Sequence, residues 1–209
     1  MTSSPPTGRR RTRLSADERR ASILAAATEV FAEHGYRSGK VSEVAARVGV
    51  TEPVVFQNFK SKAALFAAVV ERAAEWLSDQ LADAASSDTP VPVLLAELMS
   101  PAHLDRLHDR GELGVLFADA VSAGVEPQVS EAGQAAVRRI AGALSDLVRQ
   151  GREAGQLRPD VDPDAVAWLL ISLISARRFR QAALPDTDRG AVESELAAMA
   201  MRTITPTEG

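Results

Sequence analysis

The side chains best equipped for recognition chemistry lie between residues 40 and 62: Lys40, Ser42, Thr51, Glu52, Gln57, Asn58, Lys60 and Lys62. They offer ammonium, hydroxyl, carboxamide and carboxylate groups, which exchange hydrogen bonds and carry charge. No catalytic signature stands beside them. Residues 86–209 contain no phosphate-cradling Gly-rich loop, no dinucleotide fingerprint, no Gly-x-Ser-x-Gly and no His-Glu-x-x-His. The chemistry on offer is binding.

The elements that must hold these groups follow from apolar spacing. Val41, Val44, Ala45 and Val48 recur at helical intervals, and Gly49 follows where a helix ends in a left-handed residue. Thr51 has a hydroxyl to accept from free amides at the next N-terminus, and Pro53 needs no amide hydrogen in a first turn. Val54, Val55 and Phe59 give the second helix its apolar side. Two short helices about a Gly-containing turn make a helix-turn-helix, whose second helix lies in the DNA major groove. The same pattern, taken alone, also fits an ordinary helical hairpin in a bundle.

The flanks favour the first reading. Upstream stand Ile23-Leu24-x-Ala-Ala and Phe31-x-x-x-Gly35-Tyr36; downstream, Phe59-x-Ser61-Lys62 precedes Leu65-Phe66. With Val44-Ala45 and Gly49-Val50-Thr51 between them, the run resembles the DNA-binding domain of the TetR family of transcriptional regulators. The resemblance spans roughly a quarter of the chain.

That resemblance implies DNA contacts from the start of the second helix, most of the third and the start of the fourth. Carried over residue by residue, these are Lys40 and Ser42; then Thr51, Glu52, Pro53, Val54, Phe56, Gln57 and Asn58; then Lys60 and Lys62. The chain departs from the family in three places. Gly39-Lys40 replaces a pair of threonines, Phe56 replaces a tyrosine and so lacks one phosphate hydrogen bond, and Asn58 stands where histidine is common. Gln57 is suited to a bidentate pair with adenine, worth ~1–3 kcal/mol of discrimination. Glu52 is suited to cytosine N4 or is simply repelled outward, and Val54 is suited to a thymine methyl. Lys62 is expected on a phosphate, helped by the positive end of its helix.

Charge distribution agrees. Net charge is −4, but residues 1–62 hold 11 Lys+Arg against 6 Asp+Glu, a balance of +5, and residues 63–209 hold 13 against 22, a balance of −9. A basic segment on an acidic body suits a protein that meets phosphate with one end, although a solvated charge imbalance reads the same way. Neutralising roughly six to ten phosphates per dimer makes affinity fall ~10³–10⁵-fold between 50 and 200 mM salt. Arg9, Arg10, Arg11 and Arg13 lie in residues 1–14, read as a disordered basic arm, either for a minor groove or merely a soluble tail.

Cysteine is absent, so disulfides and thiolate metal sites are excluded. His103 and His108 are five apart, off the i, i+4 spacing of a helical zinc site, and His34 suits a helix C-terminus better than a metal. Neither metal nor cofactor is expected. With no signal peptide visible and no apolar run long enough to span a bilayer, the expectation is a cytoplasmic protein without a membrane partner.

About nine helices and no alternating β pattern make the fold all-α. Ser15 and Glu18 suit a capping box opening the first helix, and Ser61-Lys62 opens a long helix to about Ala85. Helices then run over about 91–107, 112–123, 129–151, 163–183 and 190–203. The expected units are the arm 1–14, a DNA-binding domain 15–62, a helical regulatory and dimerisation domain 63–204, and a disordered tail 205–209. Ala165 to Ala176 is apolar on nearly every side, so it is either buried in its own core or covered by a second copy. The resemblance implies a homodimer through the last two helices and a small-molecule cavity between the helices of the C-terminal region. Candidate wall residues are Met99, His103, Leu116, Phe117, Trp168, Ile171 and Arg178, for each of which core or surface packing is the simpler reading. Arg177, Arg178 and Arg180 suit either an anionic ligand or salt bridges to acidic neighbours.

The leading expectation is a dimeric regulator, a repressor released from a palindromic double-stranded DNA operator by an unidentified small-molecule effector, and not an enzyme. The alternatives are an all-α small-molecule binding protein or enzyme with a vestigial helix-turn-helix, and an interaction module for other proteins.

Overall fold

The computed structural model describes residues 15–109, 113–122, 124 and 126–206. The arginine arm and residues 207–209 lie outside that range. Every regular element among the described residues is helical: α1 Ala16–Ser38, α2 Val41–Val48, α3 Glu52–Phe59, α4 Lys62–Ala85, α5 Val91–Leu98, α6 Pro101–Asp109, α7 Leu113–Ala120, α8 Pro127–Glu153, α9 Pro163–Ser175, α10 Arg177–Ala183 and α11 Asp186–Ile204. The fold is all-α, as expected. The expected helices are present, and two are interrupted, which brings the segments to eleven.

Both interruptions have local causes. The helix expected over 91–107 stops at Leu98 because Pro101 follows. Proline lacks the amide to continue a ladder, and its ring disfavours helical backbone in the residue before it. The helix expected over 163–183 breaks at Ala176. There Ser172 Oγ donates back to the Trp168 carbonyl at 2.7 Å and the Arg180 guanidinium donates to the Leu173 carbonyl at 2.8 Å.

Termini elsewhere follow their sequence signals. Ser15 and Glu18 form the reciprocal capping box, at 3.1 and 2.8 Å. Ser61 caps α4 by accepting from the Ala64 amide at 3.0 Å. Asp162 Oδ1 accepts from the amides of Asp164 and Ala165 at the start of α9. Gly35, at φ 73, kinks α1 before its last turn.

Two buried clusters make the core. The first joins α1, α2, α3 and α4 to Leu116 and Ala120 of α7 and to Val129 and Ala136 of α8. Its centre is an aromatic trio: Phe31 meets Phe66 edge-on with centroids 5.1 Å apart, and Tyr36 lies 4.7 Å from Phe66. Such pairs add ~0.5–1.5 kcal/mol each beyond area burial. The second gathers α5, α8, α9 and α11 around Leu95, Val148, Leu170 and Ile204. α4 and α8 pack along one another. The first cluster crosses the division expected at residue 62, so the helix-turn-helix shares its core with α7 and α8.

Candidate nucleic-acid interface

α2 ends on Gly49 at φ 74, ψ 35, the left-handed conformation that costs a side chain about 1 kcal/mol or more. The Val50 amide donates to the Ala45 carbonyl at 3.0 Å, which closes the turn. Thr51 stands at the N-cap of α3, but its side chain makes no capping hydrogen bond, contrary to the sequence expectation. Its hydroxyl is therefore left exposed; Pro53 brings no amide to the first turn, and the Thr51 carbonyl accepts from the amides of Val54 and Val55 at 3.0 and 3.3 Å.

α3 buries only Val55 and Phe59 against the core. Glu52, Pro53, Phe56 and Gln57 are exposed, and Val54 and Asn58 are half-buried. Asn58 spends one N–H of its Nδ2 on the Val54 carbonyl at 2.8 Å and keeps the second N–H and the Oδ1 for another partner. Lys40, the N-cap of α2, and Ser42 in its first turn are exposed on the neighbouring element. Lys60 is exposed and sits at φ 43, the one positive-φ residue other than glycine among those described. That strain lets the chain turn sharply from α3 into α4.

Lys62 is engaged within the chain. Its Nζ donates to the Arg37 carbonyl at 3.0 Å and lies 5.0 Å from the centre of the Tyr36 ring. Burial pulls its pKa below the ordinary lysine value, while Glu126 pushes it back up. Burial, together with a hydrogen bond to Glu126, raises the Tyr36 phenol to about 12. Glu126 is held below the usual carboxylate range, first by its own amide and then by the Tyr36 hydroxyl. The Tyr36 amide also donates to Asp119 Oδ2 at 2.6 Å. Tyr36, Arg37, Lys62, Gly124 and Glu126 together line a pocket of about 310 Å³ where α1 and α4 meet the loop before α8.

Sequence reasoning missed four participants. Arg20 donates from Nη1 to the Asn58 carbonyl at 2.7 Å and lies 4.0 Å over the Phe59 ring, fixing the end of α3 to α1. Arg47 binds Glu33 and Glu43 at 2.6 and 3.0 Å and Glu29 at 3.3 Å, tying α2 to α1. Only the i, i+4 pair of Glu43 and Arg47 was visible locally. Asp119 and Glu126 lie more than eighty residues from Tyr36, and no local pattern announces them. His34 Nε2 sits 3.3 Å from Glu43 and 3.7 Å from Glu33. Glu33, His34 and Glu43 place donor atoms close together, yet Arg47 already neutralises these carboxylates.

The candidate wall residues are not brought to one place. Leu116 is buried in the first core cluster with Phe117 against it, whereas Met99 is buried in the second. His103 and Ile171 are half-buried; Trp168, 46 % exposed, and Arg178 lie on the surface of α9 and α10. Arg180 is paired within its own chain, both ends of its guanidinium meeting Glu193 at 2.8 Å.

Known proteins resemble this arrangement over most of its length. Residues 23–69 match the family described as bacterial regulatory proteins, tetR family, and residues 118–201 match the tetracyclin repressor-like C-terminal domain. The HTH-type transcriptional activator FasR of Mycolicibacterium smegmatis is 34 % identical over 187 residues, covering 88 % of this chain and 83 % of that protein. The HTH-type transcriptional repressor Rv1474c of Mycobacterium tuberculosis is 27 % identical over 184 residues, covering 88 % and 93 %. Among solved structures, SmeT, the repressor of the Stenotrophomonas maltophilia multidrug efflux pump SmeDEF, superposes with a TM-score of 0.66 at 26 % identity, covering 90 % and 91 %. SmeT has also been solved with triclosan.

Proposed function

This chain belongs to the TetR family of DNA-binding transcriptional regulators, which is non-enzymatic, and we propose that it is a dimeric repressor released from a palindromic operator by a small molecule. The observation that carries the reading is the disposition of α3. Two of its side chains hold it to the core, and Glu52, Phe56 and Gln57 are left exposed on the element that enters a major groove. Gln57 reads a base edge, Val54 and Phe56 make apolar contact, and Lys40, Ser42, Thr51 and Lys60 hold the phosphates on either side. Asn58, donating to its own helix, positions α3 from within.

The dimer rests on α9, α10 and α11. Trp168, Leu169 and Met199 are exposed there, and Phe179 is 76 % exposed. Large apolar groups on adjacent helices suit a self-complementary two-fold contact. Such a dimer offers two α3 helices to half-sites one helical turn apart.

Small-molecule response is supported by SmeT with triclosan. Repression is supported by relatives named as repressors, whereas FasR is named an activator. Among the described residues no helix is long and apolar enough to cross a membrane, and the proposed place of action is the cytoplasm.

A gel shift on palindromic fragments from the gene's own upstream region, repeated across salt concentrations, tests the reading. Binding that falls steeply with salt and saturates at one dimer per palindrome is the expected result. Indifference to every duplex at low ionic strength overturns it. Selection from a random DNA pool then defines the operator, and its position relative to the promoter separates repressor from activator.

A further inference from the structure

Arg177 stands where α9 passes into α10 and is 4 % exposed. Its Nη2 donates to Oδ1 of Asp105 on α6 at 2.7 Å. Its Nε and Nη1 are buried and have no hydrogen-bond partner among the described residues. A guanidinium has five N–H donors, so three of the five are unmet. A buried donor without a partner loses its hydration for nothing, and a buried cation loses more. Asp105 compensates poorly, because it is itself 62 % exposed and solvated. Arg180, three residues on, meets Glu193 twice and the Leu173 carbonyl once. Two arginines on one short helix thus differ in kind: Arg180 faces a carboxylate as buried as itself through Nε and Nη2, whereas Arg177 keeps buried donors unmet.

The surroundings specify what those donors await. Leu170 and Ile174 lie on α9, which ends at Ser175, two residues before Arg177. Leu170 and Ile174 belong to the second core cluster, whose described members are aliphatic residues and methionines without an aromatic ring. The element over Arg177 is α6, set off from α5 by the break before Pro101; of residues 101–105 only Leu104 is buried. α6 is therefore a segment of its own, separated from α5 by two residues and in contact with α5, α7 and α11.

We infer that Arg177 anchors the anionic head of the effector, a carboxylate on an aliphatic body, which takes the place of Asp105 and displaces α6. The inference rests on the ligand-responsive reading above and names its ligand class. A carboxylate supplies acceptors for a guanidinium in a dry setting, where charge-assisted bonds are strong. The displaced α6 touches α7, and Asp119 of α7 holds the Tyr36 amide beside Lys62. The ligand acts through its differential affinity for the two positions of α6.

Titration calorimetry of the full chain with octanoate, and with octan-1-ol as the neutral control, tests this. Octanoate is expected to bind at least about tenfold more tightly than the alcohol, the effect of one charge-assisted hydrogen bond. Arg177→Met, similar in length and uncharged, is expected to weaken octanoate about 10- to 100-fold. Asp105→Asn, on the surface, is expected to strengthen it by releasing the guanidinium. Opposite signs at the two residues are what a merely structural ion pair does not give. Octanoate binding that is absent in the unaltered chain, or is matched by the alcohol, overturns the proposal. So does an Asp105→Asn variant that fails to gain affinity, even where Arg177→Met fails to fold. An operator gel shift run alongside separates the two readings. DNA binding without a carboxylate response leaves the regulator standing and removes this site. A carboxylate response without DNA binding does the reverse.

Discussion

Lys62, the first residue of the helix that leaves the reading head, gives its ammonium to the backbone carbonyl of Arg37 across 3.0 Å. The same ammonium lies 5.0 Å from the centre of the Tyr36 ring, with the charge of Glu126 acting on it. A cation with these partners must turn outward to meet a phosphate, and Glu126 resists that turn. Glu126→Gln is expected to tighten DNA binding about two- to fivefold on every sequence, the scale of one exposed charge pair. Lys62→Ala is expected to weaken binding uniformly and to lower the salt slope by about one for each phosphate the lysine neutralises. Equilibrium titrations at several salt concentrations measure both. An unchanged salt slope in Lys62→Ala assigns the lysine to the α1–α4 junction alone.

Gln57 is the exposed carboxamide on α3, held in place by buried Val55 and Phe59 on the opposite face. Gln57→Ala is expected to relax preference at one base position by ~1–3 kcal/mol and to leave affinity for unrelated DNA nearly unchanged. Sequence selection with the unaltered chain and the variant gives the comparison. Equal losses at every position reject the base contact.

The junction around Tyr36 has a defined pH response. Glu126 is held below the ordinary value of 4.5, so its contribution to stability is present above that value and is lost as pH falls through the lower folded value. The Tyr36 hydroxyl, raised to about 12, remains a protonated donor throughout neutral pH. The melting temperatures of the unaltered chain and of Glu126→Gln are therefore expected to differ by a constant amount between about pH 6 and 8 and to converge in acid. A difference that grows on acidification contradicts the assignment.

Much of the reading head is legible in the sequence because its signals are local. Gly49 occupies the left-handed position predicted for it, the Ser15–Glu18 box forms, and α4 runs over the span expected from Ser61-Lys62. What the sequence hides depends on partners distant along the chain or on a choice between local ones. The Thr51 hydroxyl suits a cap that α3 does not use, and one N–H of Asn58 bonds to the Val54 carbonyl within its own helix. Periodicity runs through Pro101 and Ala176, because an apolar repeat persists where the backbone breaks. The candidate wall residues scatter for a related reason: helical spacing tells which side is apolar, not which of two clusters that side joins.

Gly133 lets α8 approach α7. A Cβ there would lie 2.6 Å from the Ala120 Cβ and 2.8 Å from the Ala120 carbonyl group, so backbone would have to move. Gly133→Ala is expected to destabilise the fold by about 1–3 kcal/mol, the usual cost of overpacking. Gly142, on the same helix with nothing near its missing Cβ, is the control. Gly142→Ala is expected to stabilise by about 0.5–1 kcal/mol through helix propensity. Denaturant unfolding of both variants measures the contrast, and a neutral Gly133→Ala refutes the close α7–α8 contact.

The last prediction concerns the apolar surface of α9, α10 and α11. Phe179 is 76 % exposed and Trp168 46 %, so neither supports the core of its own protomer. Both stand on the helices proposed to meet a second copy. Phe179→Glu and Trp168→Glu place a carboxylate where two like charges would face one another across a two-fold axis, and desolvating either charge opposes association. Each variant is expected to keep its helical circular dichroism and to sediment as a monomer at micromolar concentration, where the unaltered chain sediments as a dimer. The variant monomer is expected to bind a single half-site and to lose the tighter binding to a full palindrome. Dimers that persist in both variants assign the two-fold contact to another face, and a chain that is monomeric without any substitution removes the paired half-site reading.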